Sequence, residues 1–375
     1  MAGSRAPMRY AGVALAIARW GRGRRRPASP ARILVLHHLL LGDTLMVTAL
    51  LAKLRAQHPA AQIVMTVNRD YAPLYAGHPY GVIAHPFDPR ALATFTELLA
   101  LPRFDLAVLP ADNRWSWLAR ALGARWIVGI AGDRPPRKNW PVDELVPYSP
   151  TPTAFGDTAA EIVQGPRPAR YRAGDWSAPA DADAPSFGDA YAVLHVGASS
   201  RLKLWPVDRW RALAEAVEAR GLRVVWSAGP GEADILDAID SGSERARIAG
   251  TLRLSSLWHV LARARLLVCP DTGIAHLGRI VGVPTVTLFG PGSAAMCGPG
   301  DFFADTPSRA VTVEPFACRD QTVQFFREVP WARRCERLPG DAPGRCPRAL
   351  CMEAIEVPAV VAAIDGLVPV AAVSR

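Results

Sequence analysis

Cys269-Pro270-Asp271-Thr272-Gly273-Ile274-Ala275-His276-Leu277 is the stretch whose reading decides the fold. A short apolar run at 266–268 precedes it, and a second at 285–289 follows, closed by Gly290-Pro291-Gly292. Strand, tight turn, short helix, strand is the expected order, one βαβ unit. The turn brings unpaired backbone N–H groups to a helix start, where the positive end of the helix dipole suits an anion such as a diphosphate. Asp271 can accept from ribose hydroxyls, and His276 lies about one turn into the helix. A plainer reading stands beside this one: Asp271 or Thr272 as an N-cap, His276 as a core histidine.

The chain of 375 residues suits two domains, and half of it is hydrophobic, enough for large cores. The net charge of +9 is nearly all local. Eight arginines and no acid fall within residues 1–32, leaving the rest close to neutral. A nucleic-acid enzyme spreads basic charge along its groove, so that class is excluded. No run is long enough to span a bilayer, and the apolar stretch 11–18 precedes the Arg cluster 19–26 rather than following one, the reverse of a secretory signal. The cluster suits an anionic membrane surface; a solvated tail or a misplaced start codon is the alternative. None of the six cysteines precedes Cys269, which points to a reducing, cytosolic setting.

Apolar runs at 32–37, 63–67, 82–87, 104–109 and 126–130 read as strands. Helical patterns at 44–57, 71–76, 91–101 and 116–122 lie between them. Such alternation with short connections predicts an open α/β sheet of parallel strands. Residues 148–189 lose this periodicity and are rich in Pro, Ala, Asp and Gly. A second α/β unit starts at Tyr191, with Pro206 opening a helix that Gly221 closes. The expected organisation is a basic tail 1–30, a Rossmann-like acceptor domain 31–174, a linker 175–188, a donor-nucleotide domain 189–350, and a C-terminal helix within 351–375 that packs back on the first domain.

Several constellations can carry chemistry. Leu41-Gly42-Asp43 follows the first strand, at the edge where α/β sheets bind ligands, and apolar neighbours there favour a general base. Taken alone, the motif favours the plainer reading, Asp43 as the N-cap of a helix starting at Thr44. Ser199, Ser200 and Lys203 lie between strand and helix and can take phosphate oxygens, or form a solvated loop. Gly229-Pro230-Gly231-Glu232-Ala233-Asp234 lacks the third glycine of a dinucleotide fingerprint, which argues against a nicotinamide or flavin site and leaves Glu232 as a ribose acceptor. Asp181-Ala182-Asp183 sits in linker composition with no strand before it. Cys318, Cys335, Cys346 and Cys351 form no C-x-x-C pair, so independent thiols are favoured over a zinc or iron site.

Taken together, Leu41-Gly42-Asp43, Gly197-Ala198-Ser199-Ser200 with Lys203 and Trp205-Pro206, and Asp271-Thr272-Gly273-Ile274-Ala275-His276-Leu277 with Gly282-Val283-Pro284-Thr285 and Phe289-Gly290-Pro291 resemble the family 9 glycosyltransferases. These are the ADP-heptose:lipopolysaccharide heptosyltransferases and their relatives, and the likeness runs over about residues 32–299. It implies a GT-B arrangement of two Rossmann-like domains facing a central cleft, with donor on the second and acceptor on the first. It also implies inversion at the anomeric carbon with no metal and no cofactor. By this resemblance Asp43 is the base; Lys203 binds phosphate; Asp271, Thr272, Gly273 and His276 bind the donor. The sequence departs from the family at His37-His38, where an arginine is common, and in its Arg-rich N-terminus.

The implied partners are a nucleotide-sugar donor and a glycan or glycolipid acceptor, with a peripheral position on the inner face of the cytoplasmic membrane. Rival readings are a non-catalytic sugar-nucleotide-binding module and a GT-B-type sugar-nucleotide epimerase. A dehydrogenase is disfavoured by the broken glycine pattern.

Overall fold

Strands buried on both faces need unbroken apolar runs, and this chain supplies them: Ile33, Leu34 and Val35 of the first strand and Leu266, Leu267 and Val268 of a later one are fully buried. The computed structural model describes residues 6–20, 24–180 and 183–368. It divides into two compact units, residues 1–170 with 322–331, and residues 171–321 with 332–375.

The first unit runs α1 (Ala6–Ala18), β1 (Arg32–Val35), α2 (Leu41–Met46), α3 (Thr48–Gln57), β2 (Gln62–Val67), β3 (Val82–Pro86), α4 (Leu92–Ala100), β4 (Leu106–Leu109), α5 (Ser116–Ala121), β5 (Trp126–Ile130), β6 (Glu144–Val146) and α6 (Phe155–Glu161). Its sheet is parallel, in the order β3-β2-β1-β4-β5-β6. The second runs β7 (Tyr191–His195), α7 (Val207–Glu218), β8 (Arg223–Ala228), α8 (Ala233–Asp240), β9 (Ala246–Ala249), α9 (Leu254–Arg263), β10 (Leu266–Pro270), α10 (Gly273–Val281), β11 (Thr285–Phe289), α11 (Ala294–Cys297), β12 (Ser308–Thr312), α12 (Leu350–Glu353) and α13 (Val357–Asp365). Its parallel sheet is β12-β11-β10-β7-β8-β9. In both, strand order reverses beside the first strand, between β1 and β4 and between β7 and β10. Crossovers leave in opposite directions there, so the carboxyl-end loops part and open a crevice. The two Rossmann-like sheets expected from the alternation are present.

Several boundaries differ from the sequence reading. The helix expected at 44–57 is two, α2 and α3, and it begins at Leu41, so Asp43 lies inside the first turn and Leu40 is the N-cap. The stretch read as irregular, 148–189, holds α6, and β6 lies just before it, where no strand was expected. The expected linker is held to the second unit: Trp176 packs on Trp258 with centroids 5.9 Å apart, and His259 Nε2 donates to the Pro179 carbonyl at 2.6 Å. Tyr171 already belongs there, its hydroxyl donating to the Ile280 carbonyl at 2.6 Å. Asp181 and Ala182 lie outside the described residues.

The basic N-terminus is not simply a solvated tail. Helix α1 packs on α5; Trp20 meets Trp117 edge-on at 5.7 Å; Arg24 pairs with Asp143 at 3.0 Å and Arg26 with Glu144 at 3.1 Å. At the other end, the single helix expected at 352–364 is α12 and α13, because Pro358 has no N–H and fits only a first turn. Helix α13 packs on α7, β11 and β12 of its own unit.

The segment that does join the first unit is residues 322–331. It is a hairpin, β13 (Val323–Gln324) and β14 (Arg327–Glu328), turned by Phe325 and Phe326 at φ of 45° and 64°. Such turns favour Asn-Gly, so two phenylalanines there hold an unfavourable backbone. Arg327, 1% exposed, anchors it: Nη1 donates to the Ala111 carbonyl at 2.7 Å, Nε to the Ala131 carbonyl at 3.0 Å, and Nη2 lies 3.4 Å from Asp133. Asp133 also accepts from the Asn113 N–H at 2.5 Å and Lys138 at 2.9 Å.

Removing one partner of a buried ion pair leaves the other charge uncompensated. Arg327→Met is therefore expected to destabilise the first unit by about 3–5 kcal/mol, read from urea unfolding. A loss near zero would mean Lys138 alone satisfies Asp133.

Candidate functional site

In the second unit the crevice beside β7 is built from three loops. After β7, Val196-Gly197-Ala198-Ser199 leads to Ser200, whose hydroxyl accepts from the Leu202 N–H at 3.3 Å and starts a single 3-10 turn at Arg201–Lys203. That turn aims Lys203 across the point of strand reversal. Its ammonium donates to the Asp271 carbonyl at 2.7 Å and to Asp271 Oδ2 at 2.9 Å. The loop after β7 and the loop after β10 are thus joined by a charge-assisted pair, with Asp271 buried.

Helix α10 starts at Gly273 with Thr272 in the N-cap position, extended at φ −138°. Thr272 uses its side chain in no cap bond, and its Oγ1 is buried without a hydrogen-bond partner among the described residues. Buried hydroxyls are seldom left so, and this one stands where a ligand oxygen would meet the first amides of the helix.

His276 is buried one turn further on. Arg279 Nη1, an obligate donor, lies 3.1 Å from His276 Nδ1 and 2.8 Å from the Cys297 carbonyl. Nδ1 must therefore accept, which puts the imidazole proton on Nε2. Burial first, then the charges of Arg279 and Lys203, hold the His276 pKa well below its usual value, so the ring is a neutral donor. Burial lowers the Arg279 pKa too. Arg279 was missed in the sequence, although its spacing of three residues from His276 puts both on one helix face.

Glu232, expected as a ribose acceptor, makes two hydrogen bonds to backbone amides. Oε2 accepts from the Gly229 N–H at 2.6 Å and Oε1 from the Ala198 N–H at 3.0 Å, so the carboxylate ties the β8 loop to the β7 loop. A Cβ on Gly197 would collide with Oε2, which is why that position is glycine. Likewise a Cβ on Gly292, in the loop after β11, would collide with Asp271 Oδ2. The structure thus brings Lys203, Asp271, Thr272, Gly273 and His276 together around the head of α10. Ser199 and Ser200 sit in the loop leading to Lys203, and Glu232 braces that loop.

Asp43 lies in the first unit, half-buried at the carboxyl end of β1, the matching point of strand reversal. Tyr71 stands close to it: burial raises the phenol's pKa, the Leu41 backbone lowers it, and the carboxylates of Asp70 and Asp43 raise it. His37, just after β1, is buried, its backbone N–H bonded to Thr66 Oγ1 at 2.9 Å, and burial drives its pKa down to about 3. Among the described residues no group of three or more His, Cys, Asp or Glu side chains can hold a metal ion; Cys318, Cys335, Cys346 and Cys351 are free thiols. No helix among them is long and apolar enough to cross a membrane.

Comparisons with known proteins bear on the family and the fold. The sequence profile of glycosyltransferase family 9 (heptosyltransferase) matches residues 108–301. Lipopolysaccharide heptosyltransferase 1 of Pseudomonas aeruginosa is 28% identical over 294 residues, covering 71% of this chain and 81% of that protein. Among solved structures, E. coli ADP-heptose lps heptosyltransferase II superposes with a TM-score of 0.65 at 18% identity, covering 90% of this chain and 98% of its own. E. coli heptosyltransferase WaaC with ADP gives 0.61 at 19%, covering 74% and 92%. At such identities the two structures share the fold.

His37, His195 and His276 all have depressed pKa values, His195 at about 4 through burial. Above pH 6.5 both folded and unfolded chains hold them neutral. Below it the unfolded chain takes up protons that the fold refuses, so stability falls with pH. Between pH 6.5 and 5 the loss is expected at about 1 kcal/mol per pH unit for each histidine. Urea midpoints measured across that window check it, and His276→Gln should flatten the slope; a pH-independent midpoint would contradict it.

Proposed function

This chain belongs to glycosyltransferase family 9, and from that premise we propose that it is an inverting, metal-independent enzyme moving a heptose, or a related sugar, from an ADP-sugar to a hydroxyl of a lipopolysaccharide-core or other glycan acceptor. That it is a glycosyltransferase follows from its family. The observation that carries the finer reading is the buried, unpartnered Thr272 hydroxyl at the N-cap of α10, beside the Lys203–Asp271 pair. Amide dipoles, a hydroxyl, an ammonium and a neutral His276 donor converge there, a set suited to a diphosphate and its ribose. A protein similar to this one was solved with ADP.

The chemistry then divides by unit. An alcohol is a weak nucleophile at neutral pH, so Asp43 takes its proton as the oxygen attacks the anomeric carbon. The bond from that carbon to the donor phosphate breaks on the opposite face, inverting the centre. Negative charge grows on the departing nucleoside diphosphate, where Lys203 and the amides of Gly273 meet it. Such preorganised donors are worth about 3–4 kcal/mol each in barrier height. Asp271 positions Lys203, and Arg279 positions His276. With the relatives acting on lipopolysaccharide, the reading places the enzyme in the cytoplasm, peripheral to the inner face of the membrane.

Asp43→Asn is expected to abolish transfer from ADP-heptose while calorimetric ADP affinity stays within about twofold; equal turnover in the variant would reject the base. Lys203→Ala should weaken ADP by roughly 10- to 100-fold, the worth of one or two charge-assisted hydrogen bonds. Unchanged affinity would remove Lys203 from the site.

A further inference from the structure

Between β12 and α12 the second unit carries a stretch that apolar packing does not hold. Residues 332–349 contain no helix and no strand, and only Ala332 among them is buried. So little covered apolar surface cannot offset the entropy of ordering the chain, and small lobes of this kind are tied by sulfur or by metal. Four of the six cysteines are here or beside it: Cys318, Cys335, Cys346 and Cys351.

The fold gathers them. Arg337 is held by Asp320 through Nη2 at 2.6 Å, and its Nη1 reaches both the Cys318 carbonyl and, at 3.7 Å, Cys335 Sγ. The Cys346 N–H donates to the Leu338 carbonyl at 2.9 Å, so the chain doubles back and returns Cys346 towards Cys335. Burial first, and then the charge of Cys335, raise the Cys346 pKa; burial raises that of Cys351, Arg319 lowers it and Cys318 raises it. Cys335 and Cys346 are half-buried, within reach of a small reagent. Among the described residues no group of three ligands can hold a metal ion, which leaves sulfur itself as the tie.

The same stretch touches the donor crevice from behind. The Cys335 N–H donates to the Pro291 carbonyl at 2.9 Å, in the loop after β11 whose Gly292 lies against Asp271 Oδ2. The two cysteines are not held alike. Cys346 has backbone bonds on both sides, its N–H to Leu338 and its carbonyl from the Gly340 N–H at 3.0 Å, and its thiol is turned to the Arg348 carbonyl at 3.0 Å. The backbone of Cys335 has the bond to Pro291. A disulfide holds its Cβ atoms about 3.8 Å apart in a fixed geometry. Joining the two sulfurs turns Cys346 Sγ away from Arg348, moves the less tied Cys335 and breaks its bond to Pro291.

We propose that Cys335 and Cys346 are a dithiol site for low-molecular-weight disulfides, and that their oxidation frees the loop after β11 and weakens binding of the donor nucleotide. The Cys335 thiolate attacks one sulfur of the small disulfide and expels the first small thiolate. The Cys346 thiolate then attacks Cys335 Sγ in the mixed disulfide and expels the second. The cysteine pair loses two electrons, the reagent gains them, and the two thiol protons end on the released small thiols. The effect on nucleotide rests on the donor-site reading above; the thiol chemistry does not.

The test uses the full chain, reduced with dithiothreitol or oxidised with glutathione disulfide. Trypsin cuts after Arg337 and Arg345, so a linked pair of peptides in the mass spectrum reports the bond. Oxidised wild type is expected to show Cys335 joined to Cys346, faster hydrogen exchange at the Cys335 amide, and calorimetric ADP affinity weakened about fivefold, the worth of one hydrogen bond. Dithiothreitol should reverse all three. Cys346→Ser is expected to bind ADP as the reduced wild type does, and to keep that affinity after the same treatment. Absence of the Cys335–Cys346 link overturns the proposal, as does a link that leaves the exchange at Cys335 or the affinity of an ADP-binding chain unchanged. Zinc taken up by the reduced chain with loss of reactivity at these thiols would give them to a metal and also overturn it. A linked, fast-exchanging chain that takes no ADP in either state would sink the donor-site reading and keep the dithiol site.

Discussion

The bond on which the second unit's crevice depends is the one from Lys203 to Asp271. At a point of strand reversal, two loops leave neighbouring strands and diverge, so nothing in the sheet itself fixes their separation. A lysine that reaches both the carboxylate and the carbonyl of one residue sets it. The pair also keeps Asp271, buried and otherwise costly to ionise, beside a compensating charge. Glu232 makes a second tie between loops, and two glycines leave room for the two carboxylates. The loops after β7, β8 and β10 are therefore tied to one another around the head of α10.

The first unit solves the same problem with a buried aspartate of its own. Asp133 gathers an amide, a lysine and the guanidinium of Arg327, and so holds the loops after β4 and β5 against a hairpin brought from far along the sequence. The aromatic tip of that hairpin, Phe326, lies under Arg114 and Lys138. Both cations are thereby kept in place by a π face as well as by a carboxylate.

How much of this was legible beforehand follows from where each signal resides. Period and punctuation are local, so the alternation of strands and helices, the Pro206 start, the Gly221 stop and the turn at Asp271–Gly273 could be read from neighbouring residues. The breaks at Val47 and before Pro358 were smoothed over because the apolar pattern continues through them. Strand β6 and helix α6 were lost in a Pro-rich background that masks a short run. Arg327 was not readable, since a lone arginine in an irregular tail gives no sign that its acceptors lie some two hundred residues earlier. The tie made by Glu232 was hidden for the same reason: a carboxylate near a helix start looks alike whether it meets a ribose or two backbone amides. The N-terminal arginines announced charge but not geometry, and Arg24 and Arg26 turn out to meet Asp143 and Glu144.

The hairpin has a bearing on how this enzyme can be cut and recombined. The chain passes from one unit to the other at residue 171, returns at 322 and leaves again at 332. A hybrid made by exchanging everything before a single junction would inherit the acidic pocket from one parent and its guanidinium from the other, or lose the match altogether. Residues 322–331 are in effect a graft of the amino-terminal half carried on the carboxyl-terminal half. Any swap between homologues has to move them as one cassette with the strands they serve.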